Sequence, residues 1–381
     1  MKSNKGDGGI DVKIQKLSLK NQFIISGTLL GISGILFIFS RVVPKFADIY
    51  YKYIYLTLIN TIGRLISVVS FSIYEMVLYG FLLFIIYKII MYIVLRFKRK
   101  LFIKEILLRV VSNLLMYISI FIFLNMITLG VNSFRTDFVT STGLKIEEGS
   151  EEKLSVLCGK LKEKLNELDD KVNRDENGFL KLDDSIKEDG IESMKNLSSI
   201  NSDLEGFYTY PKPYVFSRTM SYQFLEGETD FTLEANYNND MPKCNVPSTI
   251  CHELSHVRGF NNEYEANYIS FLACINSKKL EYQYSGYLMA YSYCMNDLYN
   301  SNLEEFKKIN NELSDNVKRE LKNDSLYWNS YRGKISEIHS ETYDKLLKAT
   351  GQEEGIRSYN AVVKLLISGY EKQFDFTNYI N

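Results

Sequence analysis

The sequence predicts N-terminal transmembrane helices followed by an α+β, helix-dominant domain. Three observations carry this. Residues 1–131 are strongly apolar and hold three runs of the length a bilayer crossing needs, whereas residues 132–381 are polar with ordinary globular patterning. In the second half, apolar residues recur mostly at helical spacing, and the aromatic, β-branched stretch 207–237 is the one good strand candidate. The run His252-Glu253-Leu254-Ser255-His256 sets two imidazoles four residues apart, on one face of a helix.

The 381 residues divide into an N-terminal segment 1–22, a membrane domain 23–131, a helical membrane-proximal region 132–205 and a domain 206–381 that carries the histidine pair. A formal net charge of −1 implies no nucleic-acid partner. The five cysteines lie in the second half without a CxxC pair, so a cysteine zinc site is not expected. They read as small buried apolar residues, with a Cys274–Cys294 bridge between neighbouring helices as the alternative.

The three apolar runs are 23–43, 70–95 and 106–129. The first is not a secretory signal, because 22 mostly polar residues precede it and no small-residue cleavage site follows. Basic residues set the orientation: Lys2, Lys5, Lys13, Lys16 and Lys20 before span one, and Arg96, Lys98, Arg99, Lys100 and Lys104 between spans two and three, face the cytoplasm. Three spans starting inside make a multi-pass protein of the cell membrane with an extracellular C-terminal domain. The segment 45–64 then lies outside as an interfacial helix, its Tyr50, Tyr51, Tyr53 and Tyr55 at headgroup level. Glu75 is expected at the interface and Lys88 snorkels towards it.

In the soluble half, Leu154, Leu157, Leu161, Leu165, Leu168 and Val172 mark an amphipathic helix over 151–172. A polar loop 173–190 and a short helix 191–204 follow. Strands are expected at 214–217 and 231–235, and only helix and turn after Pro247.

The HExxH run has the spacing at which two imidazole nitrogens hold one Zn²⁺, and Glu253 between them has the position of a general base. The chain has only three histidines, and two are here. Pro247 suits the first turn of this helix. Gly259 suits a left-handed cap, with Phe260 as the apolar residue after it. A third ligand comes from Glu263 or Glu265. Asn262 and Glu265 have capping-box spacing, which gives Glu265 a structural role and leaves Glu263 free to point at the metal. Asn267, four residues beyond Glu263, is placed to orient a ligand. In the alternative HExxHxxGxxH pattern a third histidine would be needed where Asn262 stands, so that pattern is excluded. Candidates to stabilise an oxyanion are Tyr284, Tyr287, His339, Arg357 and Tyr359. The segment 232–236 is either an edge strand able to pair with an extended peptide or an ordinary sheet strand.

The HELSH helix, Gly259-Phe260, Glu263-x-Glu265-Ala266-Asn267, Tyr284-Ser285-Gly286-Tyr287-Leu288, Leu233-Glu234-Ala235-Asn236 and Ser358-Tyr359 together resemble domain-of-unknown-function family 3810, bacterial membrane proteins with N-terminal spans. The resemblance implies a zincin-like, gluzincin-like metallopeptidase domain and brings no established substrate. More distantly, HExxH followed by Glu-x-x-x-Asn resembles thermolysin-type gluzincins, in which the first Glu binds zinc; this maps onto Glu263. The interval from His256 to Glu263 is shorter than in that group, and Asn267 stands where Asp is usual.

The expected function is a membrane-anchored zinc metallopeptidase with Zn²⁺ as cofactor, His252, His256 and Glu263 as ligands, Glu253 as base, and a peptide or protein as substrate at the lipid bilayer. The alternative is a membrane sensor or binding protein on a non-catalytic scaffold. Intramembrane proteolysis is excluded, because the histidines sit among polar residues outside the apolar runs.

Overall fold

The computed structural model describes residues 18–98, 102–146, 149–349 and 359–373. Helix dominates them. Helices α1 (Leu19–Val42), α3 (Ile73–Phe97) and α4 (Ile103–Asn125, continued by one π turn to Gly130) are long and apolar enough to cross a membrane. Lys20, Arg96, Lys98 and Lys104 are described; Lys2, Lys5, Lys13, Lys16, Arg99 and Lys100 lie outside the described residues.

The chain forms two compact units. One comprises the residues up to 35 together with 84–124. Polar side chains join its three helices: Ser112 donates to Gln22 at 2.6 Å, Gln22 donates to Asn113 at 3.2 Å, and Asn113 donates to the Tyr92 hydroxyl at 2.8 Å. Phe84 meets Tyr117 edge to face. In a setting without water such bonds satisfy groups that would otherwise be costly.

The other unit comprises 36–83 and 125–381. It begins with α2 (46–67), a continuous helix of alternating α and π turns. Tyr50, Tyr51 and Tyr55 of α2 are buried in the core of this unit, and only Tyr53 of the four tyrosines is open, at 65 %. The headgroup placement expected for all four is thus corrected for three: Tyr51 and Tyr55 pack against the end of the histidine helix, and Tyr50 donates to Ile127 O.

After α5 (Phe138–Thr142), α6 (Glu151–Asp169) presents Leu154, Leu157, Leu161, Leu165 and Leu168 to the core. The expected helix 191–204 is α7 (Ile186–Lys195) followed by short 3-10 turns. Strands β1 (Lys212–Pro213), β2 (Gly227–Thr229) and β3 (Ala235–Tyr237) form one small sheet, with α8 (Arg218–Ser221) between β1 and β2. The order is β1-β3-β2, parallel for Lys212↔Asn236 and antiparallel for Glu228↔Asn236. The strands expected at 214–217 and 231–235 are therefore corrected. Val215 and Phe216 give their N–H groups to the Glu75 carboxylate at 2.6 and 2.8 Å, which takes them out of strand pairing. Leu233 takes a left-handed φ of 61° in a turn closed onto Asp230, so β3 starts only at Ala235. Glu75 is buried by these bonds at the start of α3.

A second buried charge anchors the sheet. Lys212 and Glu234, both fully enclosed, pair at 2.7 Å. Lys212 also donates to the Ile66 carbonyl, and Glu234 accepts the N–H groups of Ile73 and Tyr74 at the start of α3. Saturating every polar atom in this way is what makes a buried pair tolerable.

The remainder is helical: α9 (Val246–Val257), α10 (Glu263–Ile275), α11 (Leu280–Ser301), α12 (Leu303–Asn311), α13 (Asp315–Ser330), α14 (Lys334–Ala349) and α15 (Tyr359–Gln373). Helix α9 is central: all its residues are buried except His252, which is half-buried. Hydroxyls hold α10 and α11 against its start, with Ser270 donating to Ser248 O at 2.6 Å and Ser285 donating to Cys244 O. The five cysteines are buried and free, so the Cys274–Cys294 bridge is not formed.

Candidate metal centre

The end of α9 sets the geometry. Gly259 adopts a φ of 77°, its N–H bonds to His256 O, and Phe260 N–H bonds back to Ser255 O. This left-handed cap reverses the chain. A side chain at Gly259 would also press on the Tyr51 ring at 3.1 Å. The reversal carries the Phe260 carbonyl over the helix end, where His256 Nδ1 donates to it at 2.8 Å. Tyr55 donates to Val257 O at 3.0 Å, and Arg135 donates to Arg258 O at 3.0 Å while its guanidinium lies over the Tyr51 and Phe260 rings. The carbonyls that a helix end leaves open are thereby occupied.

Helix α10 starts three residues after Phe260 and brings Glu263 to both histidines. His252 Nε2 lies 3.3 Å from one Glu263 oxygen, His256 Nε2 lies 3.8 Å from the other, and the two Nε2 atoms are 3.0 Å apart. His252 Nδ1 faces the Asn267 amide oxygen at 2.9 Å. A carbonyl only accepts, so Phe260 fixes the His256 proton on Nδ1, and Asn267 does the same for His252. Both Nε2 lone pairs and a carboxylate then converge on one point. Ligands about 2.0–2.1 Å from a tetrahedral ion stand about 3.3 Å apart, close to all three separations. His252, His256 and Glu263 can hold a metal ion.

Without a metal, a proton on His252 balances the same carboxylate. Burial pulls the His252 pKa down, but the bond to Glu263 lifts it further, to about 9. Burial foremost takes His256 down to about 4. Burial would raise Glu263; the two histidines and Tyr343 outweigh it and hold it at about 2. The site keeps one anion and binds a proton beside it.

Glu265 points elsewhere. Its carboxylate accepts the N–H groups of Phe138, at 2.5 Å, and Val139, capping α5, and Asn262 donates to its other oxygen at 3.2 Å. Glu265 is structural, but its main partner is α5 rather than the start of its own helix.

Glu253 is buried on the same turn of α9 and accepts from Thr229 of β2 at 2.7 Å. Burial raises its carboxyl to about 8. Strand β2 runs close over it: a Cβ on Gly227 would fall 2.4 Å from a Glu253 oxygen. With β3 central, the sheet edge beside the site is β2, and of the two readings of 232–236 the ordinary sheet strand holds, from Ala235.

The opposite wall is α14. Tyr343 donates to Glu263, and His339 stacks on the Tyr343 ring at 5.9 Å. His339 is half-buried rather than on an open face, and burial lowers its pKa. The Tyr293 hydroxyl of α11 lies beside Asn267 and Glu263. Tyr284 and Tyr287 are corrected as oxyanion candidates: Tyr284 is enclosed beside Arg174, and Tyr287 packs on Phe271. Arg357 lies outside the described residues, and Tyr359 begins α15. Sequence reasoning missed Thr229, Tyr293 and Tyr343. A signal existed for Tyr343, which sits four residues after the one remaining histidine, on the same helix face.

No curated protein and no solved structure matches the chain. A family model does, and it runs from α2 through the metal-site helices into α15. It is described as a protein of unknown function (DUF3810), it matches residues 50–367, and the chain belongs to that family.

Proposed function

We propose that this chain is a membrane-anchored zinc metallopeptidase of gluzincin-like, zincin-like fold. The observation that carries the reading is the convergence of two imidazole lone pairs and the Glu263 carboxylate, 3.0–3.8 Å apart, beside the buried Glu253 carboxyl. Three protein ligands with a place left for water is the pattern of catalytic rather than structural zinc.

A zinc ion held there supplies Lewis acidity to a peptide carbonyl and acidity to a water. Glu253 takes the proton from the attacking water and returns it to the leaving nitrogen. Burial raises this carboxyl, a cation on the histidines would lower it again, and a base between these limits serves both transfers near neutral pH. Thr229 fixes one of its oxygens and leaves the other for the proton. Asn267 and the Phe260 carbonyl hold the imidazole planes. Tyr343 donates to Glu263 and steadies that ligand. Strand β2, as sheet edge, offers backbone groups to an extended peptide. A binding role without turnover has no need of a buried carboxylate held at Glu253. The basic residues before span one and between spans two and three support an extracellular side for the domain.

The test is hydrolysis of a mixed peptide library by the purified full-length protein, with and without a chelator. Cleavage that stops with the chelator and in Glu253→Gln supports the reading. Cleavage unchanged by either, or none from a metal-loaded protein, overturns it.

A further inference from the structure

We propose that α2 and the loop 214–217 form one lipid-facing surface, which holds the metal site against the bilayer and selects polypeptide segments close to the membrane as substrates. The surface stands by itself; the substrate class rests on the peptidase reading above.

The chain path comes first. Helix α2 follows the first candidate span and precedes the second, so both its ends belong to the same membrane face. A segment tethered at both ends lies along that face. One side of α2 is covered: Tyr50, Tyr51, Tyr55 and Ile59 are buried in the domain core. On the other side Ile54, Ile62, Leu65 and Val68 are open, Leu65 by 73 % and Val68 by 84 %. Water is a poor partner for that many large aliphatic side chains along one segment. Polar side chains among them turn back on their own helix: Thr57 donates to Tyr53 O, Asn60 to Leu56 O and Thr61 to Thr57 O, at 2.6–2.8 Å. That is how hydroxyl and amide groups are satisfied next to lipid. The helix carries only three charges. Asp48 is bonded to Thr136, and Arg64 lies over the Phe207 ring.

The loop adds an independent observation. Val215 and Phe216 are each 59 % exposed, and they are not loose. Glu75, in the first turn of α3, holds both of their N–H groups, and the Phe216 ring meets Tyr79 edge to face at 5.5 Å. Tyr79 lies six residues into the candidate span, about 9 Å along its axis. A phenylalanine fixed at that depth beside a span meets the acyl boundary.

Both elements are linked to the metal site through bonded neighbours, the loop by Tyr214, which donates to Glu228 beside Thr229. Tyr55 of α2 bonds to the last carbonyls of α9, so one helix layer, about 10 Å thick, separates that helix end from the outer face of α2. The loop leads from β1, in the sheet whose edge holds Glu253. A substrate anchored in the same bilayer, with its cleavable segment close to the surface, is presented to this site at high effective concentration.

The experiment uses full-length protein in phosphatidylcholine vesicles. All five native cysteines are buried, so single cysteines at Phe216, Leu65 and Glu304 can be spin-labelled selectively. Labels at 216 and 65 should relax faster with oxygen than with a water-soluble nickel chelate, and the label at 304 the reverse. Equal aqueous access at all three overturns the surface. In parallel, one cleavable sequence is tethered to a membrane helix by a spacer of about five or about forty residues, spanning about 18 to 140 Å when extended. The short tether should be cut at least about tenfold faster. Equal rates overturn the substrate class. Lipid contact without cleavage of either tether overturns the peptidase reading and leaves the surface; cleavage without lipid contact does the opposite.

Discussion

The two walls of the metal site differ in the origin of their order. The ligand wall, α9 and α10, is set by neighbours in sequence: Gly259 turns the chain, Phe260 offers its carbonyl to His256, and Glu263 opens the next helix. The facing wall, β2 and α14, is set by residues far along the chain. Thr229 reaches Glu253 across 24 positions and Tyr343 reaches Glu263 across 80. Chemistry is concentrated in the first wall and adjustment in the second. Substitutions in the ligand wall should abolish function, and those in the facing wall should tune it or loosen the fold.

The largest effect is expected from Glu253→Gln, which keeps the shape of the side chain and removes the proposed base. Peptide hydrolysis should fall by about 10²–10⁴ with metal content unchanged. A fall of less than tenfold would move the base elsewhere.

Next comes Lys212→Met. It leaves Glu234 enclosed with its backbone donors alone and should destabilise the domain by about 3–5 kcal/mol in chemical denaturation. An unchanged midpoint would mean that the pair does not anchor the sheet.

Two carboxylates on one turn give a sharper contrast in pH. Glu263 is held at about 2 and is charged at all working pH. Burial, aided by Asp137, lifts Glu265 to about 7. Below its ordinary 4.5 Glu265 is protonated both folded and unfolded, so it adds no pH dependence there. Between 4.5 and 7 the unfolded chain gives up this proton while the folded one keeps it, so stability falls as pH rises and levels off above 7. The loss is about 3 kcal/mol. Glu265→Gln should flatten this part of the profile; parallel profiles would show that Glu265 titrates normally.

The smallest effect belongs to Tyr343→Phe, which removes one hydrogen bond to a ligand and should weaken zinc binding by about tenfold in competition titrations. Loss of all metal would promote Tyr343 from a support to a ligand-setting group.

The same division decides what was legible in the sequence. The apolar runs, the cap at Gly259 and the placing of Asn267 four residues after Glu263 follow from local spacing. The role of the α2 tyrosines did not, because nothing near Tyr55 names Val257, 202 positions away. The strand limits failed for a related reason. A segment of β character at 214–217 gives its N–H groups to Glu75, a side chain in an apolar run 140 positions earlier. Apolar patterning marked that run as lipid-facing and could not show that its first turn is shared with the soluble domain.

The most direct test of the metal centre is zinc per chain in purified full-length protein beside Glu263→Ala and Glu265→Gln. About one zinc in the parent and in Glu265→Gln, and almost none in Glu263→Ala, is the expected result. No metal in the parent, or equal loss in both variants, would contradict it.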